Sequence, residues 1–311
     1  MGFVGDILPD RGVKAVIRAE GLDALFRHLP AIAGRVDLIA ANLEAAVAET
    51  GTPLGKTFRF NSPTDIGAYL AKYGITAVNL ANNHAVDYGR AGLAATAANL
   101  VKYGITPFGY GEGQKQATSP RFVEVNGFRI AFIGAVCFPL EGYVYLPDRF
   151  DVARWDADSI AAGIAKARRE ADLVVVSLHW GVEFMPHPTV TQQKMARFCL
   201  ERGADLVVGH HPHVLQGMEI YRGKPIFYSL GNFIFDQRYD PARESVFVKV
   251  AIEGGRPTTV EIVPLYITDC IPAPAKGGRA RKILHNLLVP ARMAGFKAIT
   301  YQGTRAVLSL P

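Results

Sequence analysis

The sequence predicts an α/β fold in which two mixed β-sheets pack together and carry helices on their outer faces. Short β-branched runs alternate with amphipathic helical stretches, which is typical of βα units. Two hairpin signals indicate that antiparallel strand pairs join the same sheets. The 311 residues are 49% hydrophobic and 20% charged, which indicates a sizeable core and not a disordered chain.

Six apolar segments are predicted as strands that helices connect: residues 3–4, 38–41, 76–80, 173–178, 206–208 and 226–230. Asn126-Gly127 predicts a two-residue hairpin between residues 122–125 and 129–133. Gly254-Gly255 predicts a second hairpin between residues 246–252 and 259–266.

Helices are predicted over residues 15–29, 62–73, 92–103, 157–170 and 190–202. Ser62 is the expected N-cap of the second of these, with Pro63 at its first helical position and Asp65 two residues later. After Pro272, a basic amphipathic helix is predicted over residues 279–289, and Pro290 is expected to interrupt it. The predicted organisation is one domain over residues 1–272 and a basic appendage over residues 273–311.

The net charge of +6 comes from the C-terminal segment. Seven basic residues lie between Lys276 and Arg305 and no acidic residue follows Asp269, so the rest of the chain carries 27 basic and 28 acidic residues. A near-neutral body argues against nucleic acid as a partner. The segment itself has two interpretations: a peripheral membrane contact, or a terminal helix that packs its apolar stripe on the body.

Cysteine usage and the N-terminal residues bear on the compartment. Cys137, Cys199 and Cys270 are odd in number and widely spaced, which argues against a disulfide framework. Residues 1–6 show no basic region followed by a long apolar run, and no segment reaches the ~20 apolar residues of a membrane span. We therefore expect a cytoplasmic protein for the chain as given, with surface association if translation starts further upstream.

Polar side chains follow each of the six predicted strands at its carboxyl end, where open α/β sheets place their sites. Singly, each has an ordinary explanation: a structural histidine, a helix cap at Asp6, turn residues at Asn82-Asn83, or a solvated Glu44. Five of the eight histidines nevertheless fall at strand ends. The full set is Asp6, Asn42, Glu44, Asn82, Asn83, His84, Asp87, His179, Glu183, His210, His211, His213 and Asn232.

Histidine, carboxylate and amide side chains together predict a site for one or two divalent metal ions, with Mn, Fe, Zn, Mg and Ca all open. Thiolates are absent from the set, which argues against a structural zinc site. In an extended chain, His211 and His213 would point in the same direction and could face one metal.

Six motifs in this order carry a resemblance to a known family: residues 5–6, 42–44, 80–89, 177–183, 209–217 and 228–233. On these motifs the chain resembles the CapA family, the capsule (poly-γ-glutamate) biosynthesis proteins, over about three quarters of its length. The resemblance implies a four-layer αββα sandwich of two mixed sheets, the calcineurin-like metallophosphatase fold. It also implies a function in making, processing or exporting an anionic γ-linked peptide polymer.

The resemblance assigns roles to individual residues. It implies metal ligation by Asp6, Glu44, Asn83, His179, His211 and His213. It implies that His84 is the acid/base group, and Asp87 is placed to hold its other ring nitrogen, which would raise the pKa of His84. His210 is the alternative to His211 as a ligand and a further candidate catalytic residue.

Two departures from the metallophosphatase pattern affect the number of metals. Leu8 stands where a histidine is usual, and Glu44 stands where the bridging residue is usually aspartate. One subsite would then be poor in ligands, which favours one tightly bound metal over two.

Three functions remain open from the sequence. The first is a metal-dependent hydrolase in which His84 donates a proton to the leaving group. The second is a peptide epimerase that pairs His84–Asp87 with a second couple across the metal, formed by His210 or His211 with Asp236 or Glu183. The third is a non-catalytic accessory protein that binds the polymer.

Overall fold

Two β-sheets lie face to face in the computed structural model of the protein, which describes residues 1–49, 51–146 and 148–311. The strands are β1 Gly2–Ile7, β2 Ile39–Leu43, β3 Ile75–Asn79, β4 Thr106–Phe108, β5 Tyr110–Glu112, β6 Arg121–Val125, β7 Phe128–Val136, β8 Phe150–Val152, β9 Leu173–His179, β10 Leu206–His210, β11 Leu215–Tyr221, β12 Lys224–Leu230, β13 Asn232–Ile234, β14 Glu244–Glu253, β15 Arg256–Thr268, β16 Ile271–Pro274, β17 Ile299–Gln302 and β18 Arg305–Ser309.

Most of the helices cover the outer faces of this pair of sheets, and the last one packs with the residues between the sheets. They are α1 Gly12–Glu20, α2 Asp23–Phe26, α3 Leu29–Ala33, α4 Ile66–Lys72, α5 Gly89–Lys102, α6 Gly113–Ala117, α7 Ala157–Glu170, α8 Val190–Glu201 and α9 Gly277–Met293, with a 3-10 turn at Asp240–Arg243. Side chains fix the starts of α7 and α8: Asp156 accepts a hydrogen bond from the Ser159 backbone N–H, and Thr189 and Gln192 form a capping box.

Each sheet combines parallel and antiparallel pairs. The first runs β17-β18-β15-β14-β1-β2-β3-β4, with β13 beside β1 and β16 beside β15, and the second runs β11-β12-β10-β9-β7-β6. Strands β1 to β4 are parallel in the first sheet, as are β7, β9, β10 and β12 in the second. The carboxyl ends of the parallel strands therefore meet along one edge of each sheet.

Three apolar clusters define four layers. One cluster joins α1 to α5 to the outer face of the first sheet, and another joins α7 and α8 to the outer face of the second. The third lies between the sheets, where Phe3 and Phe108 of the first meet Phe132 and Phe227 of the second. The predicted αββα sandwich of the metallophosphatase fold is confirmed.

Both predicted hairpins are confirmed. Asn126 and Gly127 have φ angles of 51° and 78°, the left-handed pair that a tight two-residue turn requires, and Val125 pairs with Phe128 across it. Glu253 pairs with Arg256 around the second turn.

Three helix predictions are wrong in their bounds. Residues 15–29 are not one helix, because Gly21 takes φ 79° and ends α1 before α2 begins at Asp23. The helix expected from Ser62 begins only at Ile66, because the Ser62 hydroxyl donates to the Pro63 carbonyl at 3.4 Å and does not cap the helix. Helix α9 continues through Pro290.

Residues 273–311 are built into the same core as the rest of the chain. Ile283, Leu284, Leu287 and Leu288 of α9 are buried with the residues between the sheets, and β18 pairs with β15 from Thr259 to Ile262. The Pro290 ring packs on Gly217 of β11, where a Cβ would lie 2.3 Å from the Pro290 Cγ, so the absent side chain gives the proline room inside the helix. The apolar stripe of α9 is therefore not exposed to a membrane, and the boundary at residue 272 stays a prediction.

Across the described ranges, we find no helix with the length and apolar character to cross a membrane.

Candidate metal centre

The polar residues at the strand ends converge where the carboxyl edges of the two sheets face each other. Asp6 lies within β1, Glu44 follows β2 directly, and His179 and His210 are the last residues of β9 and β10. His179 and His210 are register partners in neighbouring strands. The loop after β3 contributes residues 82–87, and all of these groups except Asn83 are buried.

A close approach of two backbone segments holds Asp6 in place. Asp6 pairs with Asn232 of β13, and the Asp6 backbone N–H donates to the Gly231 carbonyl at 3.0 Å. A Cβ on the preceding residue, Gly5, would lie 2.0 Å from that same Gly231 oxygen. Only glycine allows β1 and β13 to come this close.

His211 and His213 sit in a turn and not in extended chain. Their φ angles are 97° and 57°, a region that residues with a Cβ rarely occupy. The prediction of an extended chain at these two residues is therefore wrong. The two rings still converge, because both residues adopt strained backbone conformations, which are common at functional sites.

Glu44, His211 and His213 form a group that could hold a metal ion, with ligand atoms all within 4.8 Å of one another. Both Glu44 carboxylate oxygens, and also His211 Nδ1, are buried without a hydrogen-bond partner among the residues that the structure describes. Buried carboxylate oxygens almost always have partners. The donor set therefore fits a divalent cation, which would satisfy these atoms.

Asp6 is held by a network of donors. It accepts from Asn42 Nδ2 at 2.9 Å and from the His211 backbone N–H at 3.2 Å, and His210 Nδ1 lies 3.0 Å from its Oδ1. Burial alone would raise the pKa of Asp6, but the contacts with His210 and His213 outweigh it and hold the pKa well below its usual range. His210 therefore lies against Asp6, and His211 lies with Glu44.

His179 connects the two sides of the site. Its Nε2 lies 2.7 Å from Asn83 Oδ1 and 3.7 Å from Glu44 Oε1. Burial, together with the neighbouring His211, holds the pKa of His179 well below its ordinary value. Burial likewise lowers the pKa of His211 to about 3. Both rings are then neutral and keep a lone pair for a metal.

Glu44 and His213 form a buried acid–base contact. His213 Nε2 lies 3.6 Å from Glu44 Oε1, and His213 Nδ1 lies 2.9 Å from Asn232 Oδ1. Burial would lower the pKa of His213, but Glu44 and Asp6 raise it to about 9. Burial raises the pKa of Glu44 well above its ordinary range. Both shifts mean that the site takes up protons to offset its buried negative charge, and a bound cation would offset the same charge.

His84 and Asp87 make the predicted contact, with Nδ1 2.8 Å from Asp87 Oδ2. The predicted rise in the pKa of His84 is wrong: burial lowers it, and the effect of Asp87 does not compensate. Part of the reason is Lys56, which pairs with the other Asp87 oxygen and also lowers the pKa of His84. The His84 ring is therefore neutral near pH 7.

The second acid–base couple that an epimerase would use does not form with the expected partners. Asp236 accepts hydrogen bonds from Arg11 and from the Gly12 backbone N–H instead. Glu183 is exposed. Of the two histidines considered for this couple, His210 has its ring against a carboxylate, and that carboxylate is Asp6.

Sequence reasoning missed two residues of the site. Lys56 lies in a loop far from any strand end, and its amino group also donates to the Asn83 carbonyl at 2.8 Å. The ring of Phe138 lies 4.4 Å from that of His211 between centroids. Neither contact leaves a local pattern, because each joins segments distant in the sequence. Asn42 was noted only as a polar residue after a strand, and it is the amide that holds Asp6.

Fold and site together define the class: an αββα sandwich of the metallophosphatase fold, with a histidine–carboxylate cluster where the strand ends meet. The chain belongs to the bacterial capsule synthesis protein family, PGA_cap, whose sequence profile matches residues 1–237.

Individual relatives agree with this family. The chain is 34% identical over 277 residues to the PGA biosynthesis protein CapA of Bacillus subtilis, covering 88% of this chain and 73% of that protein. It is 32% identical over 282 residues to the capsule biosynthesis protein CapA of Bacillus anthracis, covering 88% and 69%. A solved structure of a hypothetical protein from Thermus thermophilus matches with a TM-score of 0.53 at 20% identity, covering 86% of this chain and 99% of that one, which supports the fold alone.

Proposed function

We propose that the protein is a metal-dependent hydrolase that acts on an anionic γ-linked glutamate polymer during its synthesis, processing or export. The observation that carries the proposal is Glu44, whose two carboxylate oxygens are buried beside His211 and His213 without a hydrogen-bond partner in the described part of the chain. The two Bacillus relatives, a PGA biosynthesis protein and a capsule biosynthesis protein, support the polymer as the substrate class.

Glu44, His211 and His213 would hold the metal, and His179, Asn83 and Asp6 lie against this group as further ligands. A bound divalent ion would supply Lewis acidity and a water of lowered pKa. Three imidazoles beside carboxylate and amide oxygens favour Zn, Fe or Mn over Mg and Ca.

We propose one tight metal site and not two. Leu8, at the position where the metallophosphatase pattern has a histidine, is fully buried in an apolar cluster with Ala45, Phe60 and Phe235. An apolar cluster offers no ligand atom at that position.

His84 is proposed to move the proton. Its Nδ1 is hydrogen-bonded to Asp87, so Nε2 is the ring nitrogen that can contact the reacting groups. A neutral ring can accept the proton of the attacking water at Nε2 and return it to the leaving group. His84 therefore accepts a proton first and donates it afterwards, whereas the sequence-based prediction had it start as a protonated donor. Phe60, whose ring lies 4.2 Å from that of His84 between centroids, holds the imidazole in place and limits water around it.

The epimerase and the accessory protein remain as rivals. The partners expected for a second acid–base couple do not form it, because Asp236 accepts from the Gly12 backbone N–H and Glu183 is exposed. The carboxylate beside His210 is Asp6, which we propose as a metal ligand, and this favours hydrolysis over epimerisation. An accessory protein would bind polymer without turnover.

Elemental analysis of the purified protein tests the metal. The wild type should retain divalent metal, and the double variant His179→Ala with His213→Ala should lose it. The matched control is His28→Ala with His285→Ala, which removes two exposed histidines. Full metal content in the site variant would refute the assignment.

Activity assays separate the three functions. Hydrolysis of γ-linked glutamate oligomers or of bis-p-nitrophenyl phosphate supports the hydrolase. Deuterium exchange at the Cα of a peptide's last residue without cleavage supports the epimerase. Polymer binding with neither reaction supports the accessory protein.

A further inference from the structure

A cavity of about 560 Å³ lies beside the metal centre, and nothing in the proposed reaction uses it. Its walls include Gln114, Cys137, Phe138, Tyr145, Arg154 and Trp155. Phe138 belongs to both places: its ring lines the cavity and also contacts the rings of His211 and His179, at 4.4 Å and 5.9 Å between centroids. The cavity and the metal centre are therefore neighbours that share one wall.

The backbone fixes the spacing between the two places. Val136, at the end of β7, pairs with His179 on one side and bridges to Arg154 on the other. The Val136 N–H donates to the Ala153 carbonyl at 2.9 Å, and the Trp155 N–H donates to the Val136 carbonyl at 2.8 Å. Two strand-to-strand spacings place the backbone of Arg154 about 10 Å from that of His179.

Arg154 brings an uncompensated positive charge to this cavity. Within the part of the chain that the structure describes, no carboxylate forms an ion pair with its guanidinium, which lies 3.8 Å from the centroid of the Tyr145 ring. Its Nε is buried and has no acceptor among these described residues. Asp151 nearby pairs with Arg90 instead.

The remaining polar groups of the cavity also suit an acceptor. Asp156 is the lining carboxylate, but it is exposed and its Oδ1 accepts from the Ser159 backbone N–H as the cap of α7. The Tyr145 hydroxyl is buried and has no partner among the described residues. A guanidinium and a hydroxyl without partners are the groups that bind a carboxylate.

We infer that this cavity is a subsite in which Arg154 binds a carboxylate of the substrate while the reacting bond lies at the metal centre. The inference rests on the proposed function, because it takes the substrate to be a polymer of carboxylate-bearing units. Arg154 is a binding residue in this role, and the spacing of about 10 Å places the bound carboxylate on a unit close to the reacting one.

Calorimetric titration of short γ-linked glutamate oligomers into the purified 311-residue chain tests the subsite. Arg154→Gln should weaken binding about 10- to 100-fold, the range for a hydrogen-bonded charge, and Arg154→Lys should fall between it and the wild type. The matched control is Arg202→Gln, which removes a guanidinium 5.0 Å from the Phe198 ring, at the carboxyl end of α8.

A change in the ligand gives a second test that does not depend on how a variant folds. Oligomers with their carboxylates converted to amides should bind the wild type as weakly as the acidic oligomers bind Arg154→Gln. Equal binding of acidic and amide oligomers by the wild type would overturn the subsite, as would equal binding of acidic oligomers by the wild type and a folded Arg154→Gln. Both results leave the proposed function standing. A wild type that binds neither oligomer would overturn the proposed polymer and the subsite with it.

Discussion

The carboxyl edge of the strands differs from the C-terminal segment in whether its charged groups are paired within the protein. In the C-terminal segment, Lys282 pairs with Glu244 and Arg305 with Glu261, both at 2.8 Å, and the apolar stripe of α9 is buried. At the carboxyl edge, the two oxygens of Glu44 have no hydrogen-bond partner among the described residues, and His211 has a strained φ of 97°. The difference indicates that the C-terminal segment stabilises the fold, whereas the edge keeps atoms free for a ligand at some cost in stability.

The largest expected effect comes from deleting residues 275–311. The four large aliphatic side chains that α9 buries (Ile283, Leu284, Leu287 and Leu288) would contribute about 6–12 kcal/mol at about 1.5–3 kcal/mol each, which is comparable with the whole stability of a typical domain. We expect a truncated protein without a cooperative thermal transition by circular dichroism. A cooperative transition with retained metal would instead show that residues 273–311 are a separable appendage.

Two glycine substitutions compare the regions directly. In Gly5→Ala the new methyl group meets the backbone oxygen of Gly231, which cannot yield, so we expect a loss on the order of 3 kcal/mol or more, together with weaker metal binding. In Gly217→Ala the methyl group meets the ring of Pro290, and we expect about 1–3 kcal/mol with metal binding unchanged. Urea denaturation and elemental analysis measure both. Equal loss of metal in the two variants would contradict the comparison.

His84→Asn should leave the metal content nearly intact and lower turnover by about 10²–10⁴, the usual contribution of one acid/base group. The reason is that the His84 ring is hydrogen-bonded to Asp87 through Nδ1 and does not belong to the group of proposed metal ligands. Steady-state kinetics on the substrate identified in the activity assays provides the measurement. Loss of metal from this variant would make His84 a ligand, and full activity would make it structural.

The smallest expected effects are two opposite shifts of the pH profile. Asp87 raises the pKa of His84 and Lys56 lowers it. If neutral His84 is the proton acceptor, activity rises as the pH increases through its pKa. Asp87→Asn should move that rise to lower pH, and Lys56→Met should move it to higher pH. Shifts of the same sign in kcat/KM profiles would contradict the role given to His84.

The layers of the fold could be predicted because their signals are local. β-branched runs bounded by turn residues indicated the strands, and the Asn126-Gly127 pair is enough to specify a hairpin. The errors arose where a distant contact overrides the local signal. Ser62 is a good cap by itself, yet the segment before it pairs with Ala46 and the Ser62 hydroxyl donates to the Pro63 carbonyl instead of capping the helix. Pro290 would end most helices but finds space over Gly217.

The candidate site was predictable in its membership and not in its geometry. Strand ends bring Asp6, Glu44 and the histidines to one edge, which the order of elements already implies. No local pattern in the sequence predicts the turn that brings the rings of His211 and His213 together. None predicts the ion pair between Lys56 and Asp87 either. Both depend on side-chain packing between segments distant in the chain. The pKa of His84 was therefore predicted with the wrong sign.

The central claim is that the carboxylate oxygens of Glu44 are left without hydrogen-bond partners in the described part of the chain so that they can bind a metal. Its direct test is thermal unfolding of the wild type and Glu44→Gln, each stripped with a chelator and then supplied with Zn²⁺ or Mn²⁺. At about 100 times the dissociation constant, metal should stabilise the wild type by about 2.7 kcal/mol, or roughly 4–5 °C for a chain of this size. Metal-free Glu44→Gln should melt at the same temperature as the metal-free wild type or above it, and metal should not raise that temperature. A metal-dependent rise of equal size in Glu44→Gln would contradict the account.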